Sequence, residues 1–146
     1  MSVNISVNGV SYPVPSSAAD TDWAAEQVAF LQALAAQSLK SPTVLAPSLI
    51  NAWANLGSSS QTAGYWKDAA GTVYLRGTIT GGASLSACLV LPSGYRPSKD
   101  EAFPVAANGG TALASVTTNG NVTLVDVGGS SINTSVSLST IRFNVA

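Results

Sequence analysis

Seven carboxylates, six basic side chains, one thiol and no histidine are the groups with which this 146-residue chain could do chemistry. The lack of histidine removes the usual general base near neutral pH, the commonest metal ligand and every Ser-His-Asp or Cys-His arrangement. The carboxylates Asp20, Asp22, Glu26, Asp68, Asp100, Glu101 and Asp126 are scattered over caps, turns and strand ends. Asp100 and Glu101 are adjacent, so on a strand they would point to opposite faces. A glycosidase needs two acids held about 5–9.5 Å apart across a cleft, and no pair here suggests one. Cys88 stands alone and cannot close an intrachain disulfide or build a cysteine-based zinc site. Lying in the apolar run Leu85–Leu91, it reads as a small buried hydrophobe. The pairs Gly81-Gly82, Gly109-Gly110 and Gly128-Gly129 lead into no helix and precede no Lys-Ser or Lys-Thr, so they are turn and bulge residues rather than a phosphate cradle. The expectation is a protein that is no enzyme and uses no metal or cofactor. What remains is stacking: Tyr65, Trp66, Tyr74 and Tyr95 could each lie against a sugar ring, although packing in a core or subunit interface is the simpler reading of each.

The composition sets the background for these groups. Hydrophobic residues make up 46% of the chain, enough for a core, while charged residues supply only 9% against a usual figure of about 25%. Serine, threonine, asparagine and glycine take their place, which suits many turns and a large neutral surface, or a surface covered by identical copies. With six basic and seven acidic residues and a net charge of -1, no basic patch is large enough to neutralise the roughly six to ten phosphates that anchor a duplex-binding protein, so no nucleic-acid partner is expected. The start Met1-Ser2-Val3-Asn4-Ile5 lacks a basic segment followed by an apolar one, and no stretch reaches about 18 uninterrupted apolar residues. A soluble chain made in the cytoplasm, without membrane insertion, follows as the expectation. Asn4, Asn121 and Asn133 head glycosylation-type triplets that carry no weight in so asparagine- and serine-rich a chain.

Periodicity divides the chain into an arm and helix over 1–40, a linker over 41–62 and a β domain over 63–146. Val3, Ile5 and Val7 alternate with polar residues up to Asn8-Gly9, a strand and a turn, and Val10–Pro15 can pair back, its two prolines favouring an edge or extended arm. Residues 21–39 read as a helix: Asp20 or Thr21 can cap it, Asp22 and Glu26 place negative charge near its start, and alanine, leucine and glutamine fill it. Trp23, Phe30, Leu31 and Leu34 share one side, with Val28, Ala35 and Leu39 beside them. So apolar a helix must be covered, either by its own domain or by the same helix of neighbouring copies, with Ala24, Ala35 and Ala36 permitting close approach. The linker is expected to be ordered by burying Leu49, Ile50 and Trp53.

Beyond Ala63 the pattern is all β. Val73, Leu75 and Ile79 alternate inward against Tyr74, Arg76 and Thr78, Leu85–Leu91 reads as a core strand, and Asn119-Gly120 marks a hairpin with a type I′ turn. About seven strands at roughly 8–12-residue spacing predict a mainly β chain with one N-terminal helix, whose head is an antiparallel β-sandwich or Greek-key barrel.

Three stretches, Gly64–Gly77, Leu91–Pro97 and Val136–Phe143, run in order through a Lys67-Asp68 turn, a Gly-x-Val-x-Leu-x-Gly strand, a Leu-Pro-x-Gly-Tyr-x-Pro turn and a closing strand ending Ile-x-Phe. This ordered set resembles the C-terminal head domain of tailed-bacteriophage fibre and receptor-binding proteins and covers about residues 64–145. Asn8–Pro15, then Asp20–Trp23 and a helix, is similar to an N-terminal module of phage head fibres and capsid-decorating proteins. The resemblance implies a homotrimer with the N-terminal part on the virion and the β domain projecting. No long shaft separates the two, so it implies a short capsid decoration or cement protein on the virion surface, its partner the major capsid protein. On that reading Ile5, Val7, Val10, Tyr12 and Val14 anchor the arm, Trp23 fixes it to the helix, and Phe30, Leu31, Leu34 and Ala35 form the trimer interface. The alternative is a receptor-binding tail fibre tip that holds a host surface glycan near Tyr65, Trp66, Tyr74, Tyr95 and Arg96.

Overall fold

The computed structural model describes residues 3–7, 10–14, 23–38 and 41–145, with side chains for Ser11, 27–36 and 41–145. In chain order the elements are β1 (Val3–Val7), β2 (Val10–Val14), α1 (Trp23–Ser38), β3 (Ala54–Asn55), β4 (Gly64–Lys67), β5 (Thr72–Arg76), β6 (Thr78–Thr80), β7 (Ser86–Val90), β8 (Glu101–Asn108), β9 (Gly110–Val116), β10 (Asn121–Asp126), β11 (Ser131–Ser137) and β12 (Arg142–Asn144). Among the described residues the protein is mainly β, antiparallel throughout its strand pairs, with one helix. It divides into two compact units, Met1–Ser41 and Pro42–Ala146.

In the first unit β1 and β2 pair antiparallel, with Val3 opposite Val14, Ile5 opposite Tyr12 and Val7 opposite Val10. Pro13 is tolerated because a two-stranded ribbon has only edge strands. The Asn8-Gly9 turn and the caps Asp20 and Thr21 lie outside the described residues. Helix α1 contains neither glycine nor proline, and its alanine, leucine and glutamine content favours the helix intrinsically. Its apolar stripe is open: Leu31 is 60% exposed, Val28 51% and Leu34 43%.

The second unit holds a seven-stranded sheet in the order β3-β6-β11-β8-β9-β10-β7 and a three-stranded sheet in the order β12-β5-β4. The larger sheet curls into a half-barrel around Leu75, Ile79, Leu89, Leu91, Leu124, Leu138 and Ile141, all buried. The alternation over Thr72–Ile79 holds, with Val73, Leu75 and Ile79 buried. The run is nevertheless two strands in two sheets, because Gly77 takes φ +101° between β5 and β6 and redirects the chain from one sheet to the other.

Three local expectations are corrected. Residues 42–62 belong to the β unit: Leu45 exchanges both backbone hydrogen bonds with Tyr65, Leu49 bridges to Leu89, and Trp53 is buried, while Ile50 stays exposed. The stretch Leu49–Asn55 thereby runs from β7 to β6, the two flanks of the half-barrel. Leu85, expected in the core strand, lies just outside it at φ +67° and is 75% exposed. The β9–β10 hairpin has no type I′ turn: Asn119 keeps φ below zero and only Gly120 is positive. Gly120 N donates to Thr117 O at 2.8 Å and Thr117 N to Asn121 O at 3.0 Å, a three-residue loop ending in a left-handed glycine. The packing explains the choice, since Leu91 N donates to Gly120 O and a Cβ on Gly120 would meet Leu91 O at 2.4 Å.

Candidate functional site

The three-stranded sheet sets Trp66, Tyr74 and Arg142 side by side, each opposite the next in register, so they share one face. The Trp66 and Tyr74 rings stack at 5.3 Å with planes 10° apart, and both are half-exposed. Tyr74 is held by its hydroxyl, which donates to Asp68 Oδ2 at 3.1 Å. The other oxygen of Asp68 accepts from the amides of Thr72 and Ala70, closing the Lys67-Asp68 turn. These bonds, that from Thr72 foremost, hold the Asp68 carboxyl below its ordinary pKa. Beside them Thr72 Oγ1 donates to Asn144 Oδ1 at 2.9 Å.

The other aromatic candidates fall elsewhere. Tyr65 neighbours Trp66 on the same strand and so faces the opposite side; it is buried opposite Leu75, edge-on to Tyr95 at 5.1 Å. Burial, with the neighbouring Tyr95, pushes its hydroxyl pKa up. Lys67 Nζ sits 5.1 Å from the Tyr95 ring and donates to Gly94 O. Arg96 Nε donates to Leu91 O and packs against the Gly120 turn. Tyr65, Trp66, Tyr74, Tyr95 and Arg96 are therefore no single surface. Trp66 and Tyr74 form a half-exposed stacked pair on one face, and Tyr65 and Tyr95 an edge-on pair apart from it.

The remaining carboxylates with recorded bonds build loops. Asp100 accepts from Thr118 N, and Asp126 Oδ1 accepts from both the amide and the hydroxyl of Ser130. Among the described residues no three His, Cys, Asp or Glu gather as a metal-ligand set. No described helix is long and apolar enough to cross a membrane. Among the proposed trimer-interface residues, Leu31, Leu34 and Ala35 are exposed and Phe30 is half-buried. The side chains of the proposed anchors Ile5, Val7, Val10, Tyr12, Val14 and Trp23 lie outside the described residues.

A cleft of about 380 Å³ opens between the 81–84 loop and Asp126, Ser130, Ile132 and Asn133. Its glycines are required by their neighbours. A Cβ on Gly82 would stand 2.0 Å from the Trp53 ring, and Gly81, at φ +95°, donates its amide to Asn133 O. The only sequence signal was the pair of turn clusters at 81–82 and 128–129.

Cys88 is fully buried, and burial pushes its thiol pKa up to about 12. The native thiol is expected to resist iodoacetamide at pH 8 and to react once urea unfolds the chain, as followed by mass spectrometry; rapid native alkylation would contradict its burial. The unfolded thiol ionises near pH 8.5, so its contribution to stability is constant below that pH and declines as pH rises towards 12.

The chain matches no protein-family model, no curated protein and no solved structure.

Proposed function

We propose that this chain is a structural protein of a tailed-bacteriophage virion that decorates the capsid, docks on the major capsid protein through its N-terminal arm and associates as a homotrimer. The observation that carries this reading is the exposed apolar stripe of α1, Val28, Leu31 and Leu34, on a helix whose one charged residue is Glu26. Covering a surface of that kind is favourable in water, and equivalent helices of two further copies cover it by symmetry. The compact β unit, with a low-charge surface and its own core, suits a knob displayed in many copies. Binding the assembled shell in preference to free subunits then stabilises it by mass action.

Quantitative mass spectrometry of purified virions tests the location. A copy number near that of the major capsid protein is expected. Removing residues 1–19 is expected to abolish capsid binding while the truncated chain keeps its oligomeric mass; a truncated chain that still decorates capsids refutes the anchoring role. The half-exposed Trp66–Tyr74 pair favours a second reading, a tail fibre tip that recognises host glycan, and a copy number like that of tail proteins would select it.

A further inference from the structure

We propose that the cleft between the 81–84 loop and the β10–β11 connection is a binding site for a neutral, hydroxyl-rich ligand, a saccharide, with Asp126 as its principal acceptor. This goes beyond the capsid reading and holds whether the protein sits on the head or the tail.

The cleft, about 380 Å³, is within the usual range for small-molecule sites, roughly 300–1,000 Å³. Its lining decides the ligand's charge. Asp126 is the one acidic side chain of the lining and no basic side chain lines the cleft, so an anion such as a phosphate or an acidic sugar is disfavoured. The polar groups match hydroxyls. Asp126 Oδ1 is fixed by two bonds from Ser130, at 2.8 and 3.0 Å, which orients the carboxylate and leaves Oδ2 without a partner among the described residues. A carboxylate accepting from a hydroxyl makes a short, charge-assisted bond. Ser84 Oγ already accepts from the Asp126 amide at 3.0 Å and keeps its own proton to donate. Asn133 adds an exposed side-chain amide, and the buried Ile132 completes the lining.

The walls are built before any ligand arrives. The Gly81–Asn133 bond ties the 81–84 loop to β11, Trp53 fills the space behind Gly82, and Trp53 Nε1 donates to Ser86 Oγ at 2.9 Å. Leu85 follows the loop in a left-handed conformation that a bulky residue rarely adopts, held by its amide bond to Leu124 O. Such strain persists only where the surroundings impose it, and it recurs at ligand clamps.

The test is saturation-transfer NMR on the full chain with glucose, galactose, mannose and N-acetylglucosamine, and with N-acetylneuraminic acid as the anionic control. At least one neutral sugar is expected to bind in the millimolar range and the acidic sugar not to bind. Ala83→Phe fills the cleft from an exposed position and is expected to abolish the signal without moving the urea midpoint. Asp126→Asn keeps an acceptor for Ser130 and is expected to weaken binding about tenfold. The proposal is overturned if none of the four neutral sugars binds, if the acidic sugar binds equally, or if Ala83→Phe binds like the parent. Loss in Trp66→Ala with retention in Ala83→Phe overturns it in favour of the outer aromatic face. Virion copy number of Ala83→Phe reports separately on the capsid reading, which stands or falls without the sugar result.

Discussion

Gly77→Ala is expected to destabilise the β unit by roughly 3–5 kcal/mol, enough to unfold much of the population of a domain with ordinary stability. Two independent costs combine. The residue holds φ +101°, where a side chain is strained, and a Cβ there would stand 2.5 Å from the backbone of Thr62 and Ala63. Backbone cannot swing aside as the end of a flexible side chain can, and this backbone belongs to the stretch that leads into β4. Gly77 O also accepts from Leu138 N at 2.8 Å, so a shift at this point strains the approach to β12 as well. Gly94→Ala is the matched control: its φ is +87° but nothing lies within 4 Å, so it should cost only about 1–2 kcal/mol. Urea unfolding followed by tryptophan fluorescence separates the two, and equal losses would mean that the close approach is absent.

Leu31→Lys combined with Leu34→Lys should lower the mass in solution to one third, from trimer to monomer, as read by light scattering. Each leucine buried between copies contributes about 1.5–3 kcal/mol, and a trimer contains six of them. Both side chains are exposed within one chain, so the change leaves the fold of the β unit intact and its urea transition in place. A parent protein that is already monomeric at the concentrations used would remove the trimer from the proposal, and an unaltered trimer in the double variant would move the interface off this stripe.

The sequence and the fold agree where one period governs a whole element. The alternation at Val73, Leu75 and Ile79 identifies the buried side correctly, and the uninterrupted run from Trp23 identifies the helix described over Trp23–Ser38. Where a residue answers to distant partners the reading failed. Gly77 looked like one more strand position because the backbone of Thr62 and Ala63 that requires a glycine there is remote in pattern. Pro47 and the missing period make 41–62 look like a linker; Trp53 is buried as expected, but Ile50 is not, and the pattern gives no sign that Trp53 meets Gly82 and Ser86 some thirty residues further on. The split of the aromatic set was legible in principle, since Tyr65 and Trp66 are consecutive on one strand and must face opposite ways. The cleft was not, because its two walls come from segments more than forty residues apart and acquire meaning only when Gly81 meets Asn133.

The stretch Leu49–Asn55 also governs how the protein behaves when crowded. A curled sheet that stops short of closure exposes two rows of unpaired amides and carbonyls, templates onto which another chain can add strand by strand. Here Ile50 N donates to Cys88 O and Asn51 Nδ2 to Ala87 O on one flank, while Ala54 and Asn55 pair with Thr80 and Ile79 on the other. One irregular segment thus blunts both borders, and the left-handed Asn51 and Ala52 at its bend keep it from serving as a flat template in turn. On the seven-stranded sheet, both borders are thus covered by one segment of the same chain, in a protein with few charges to enforce repulsion between copies.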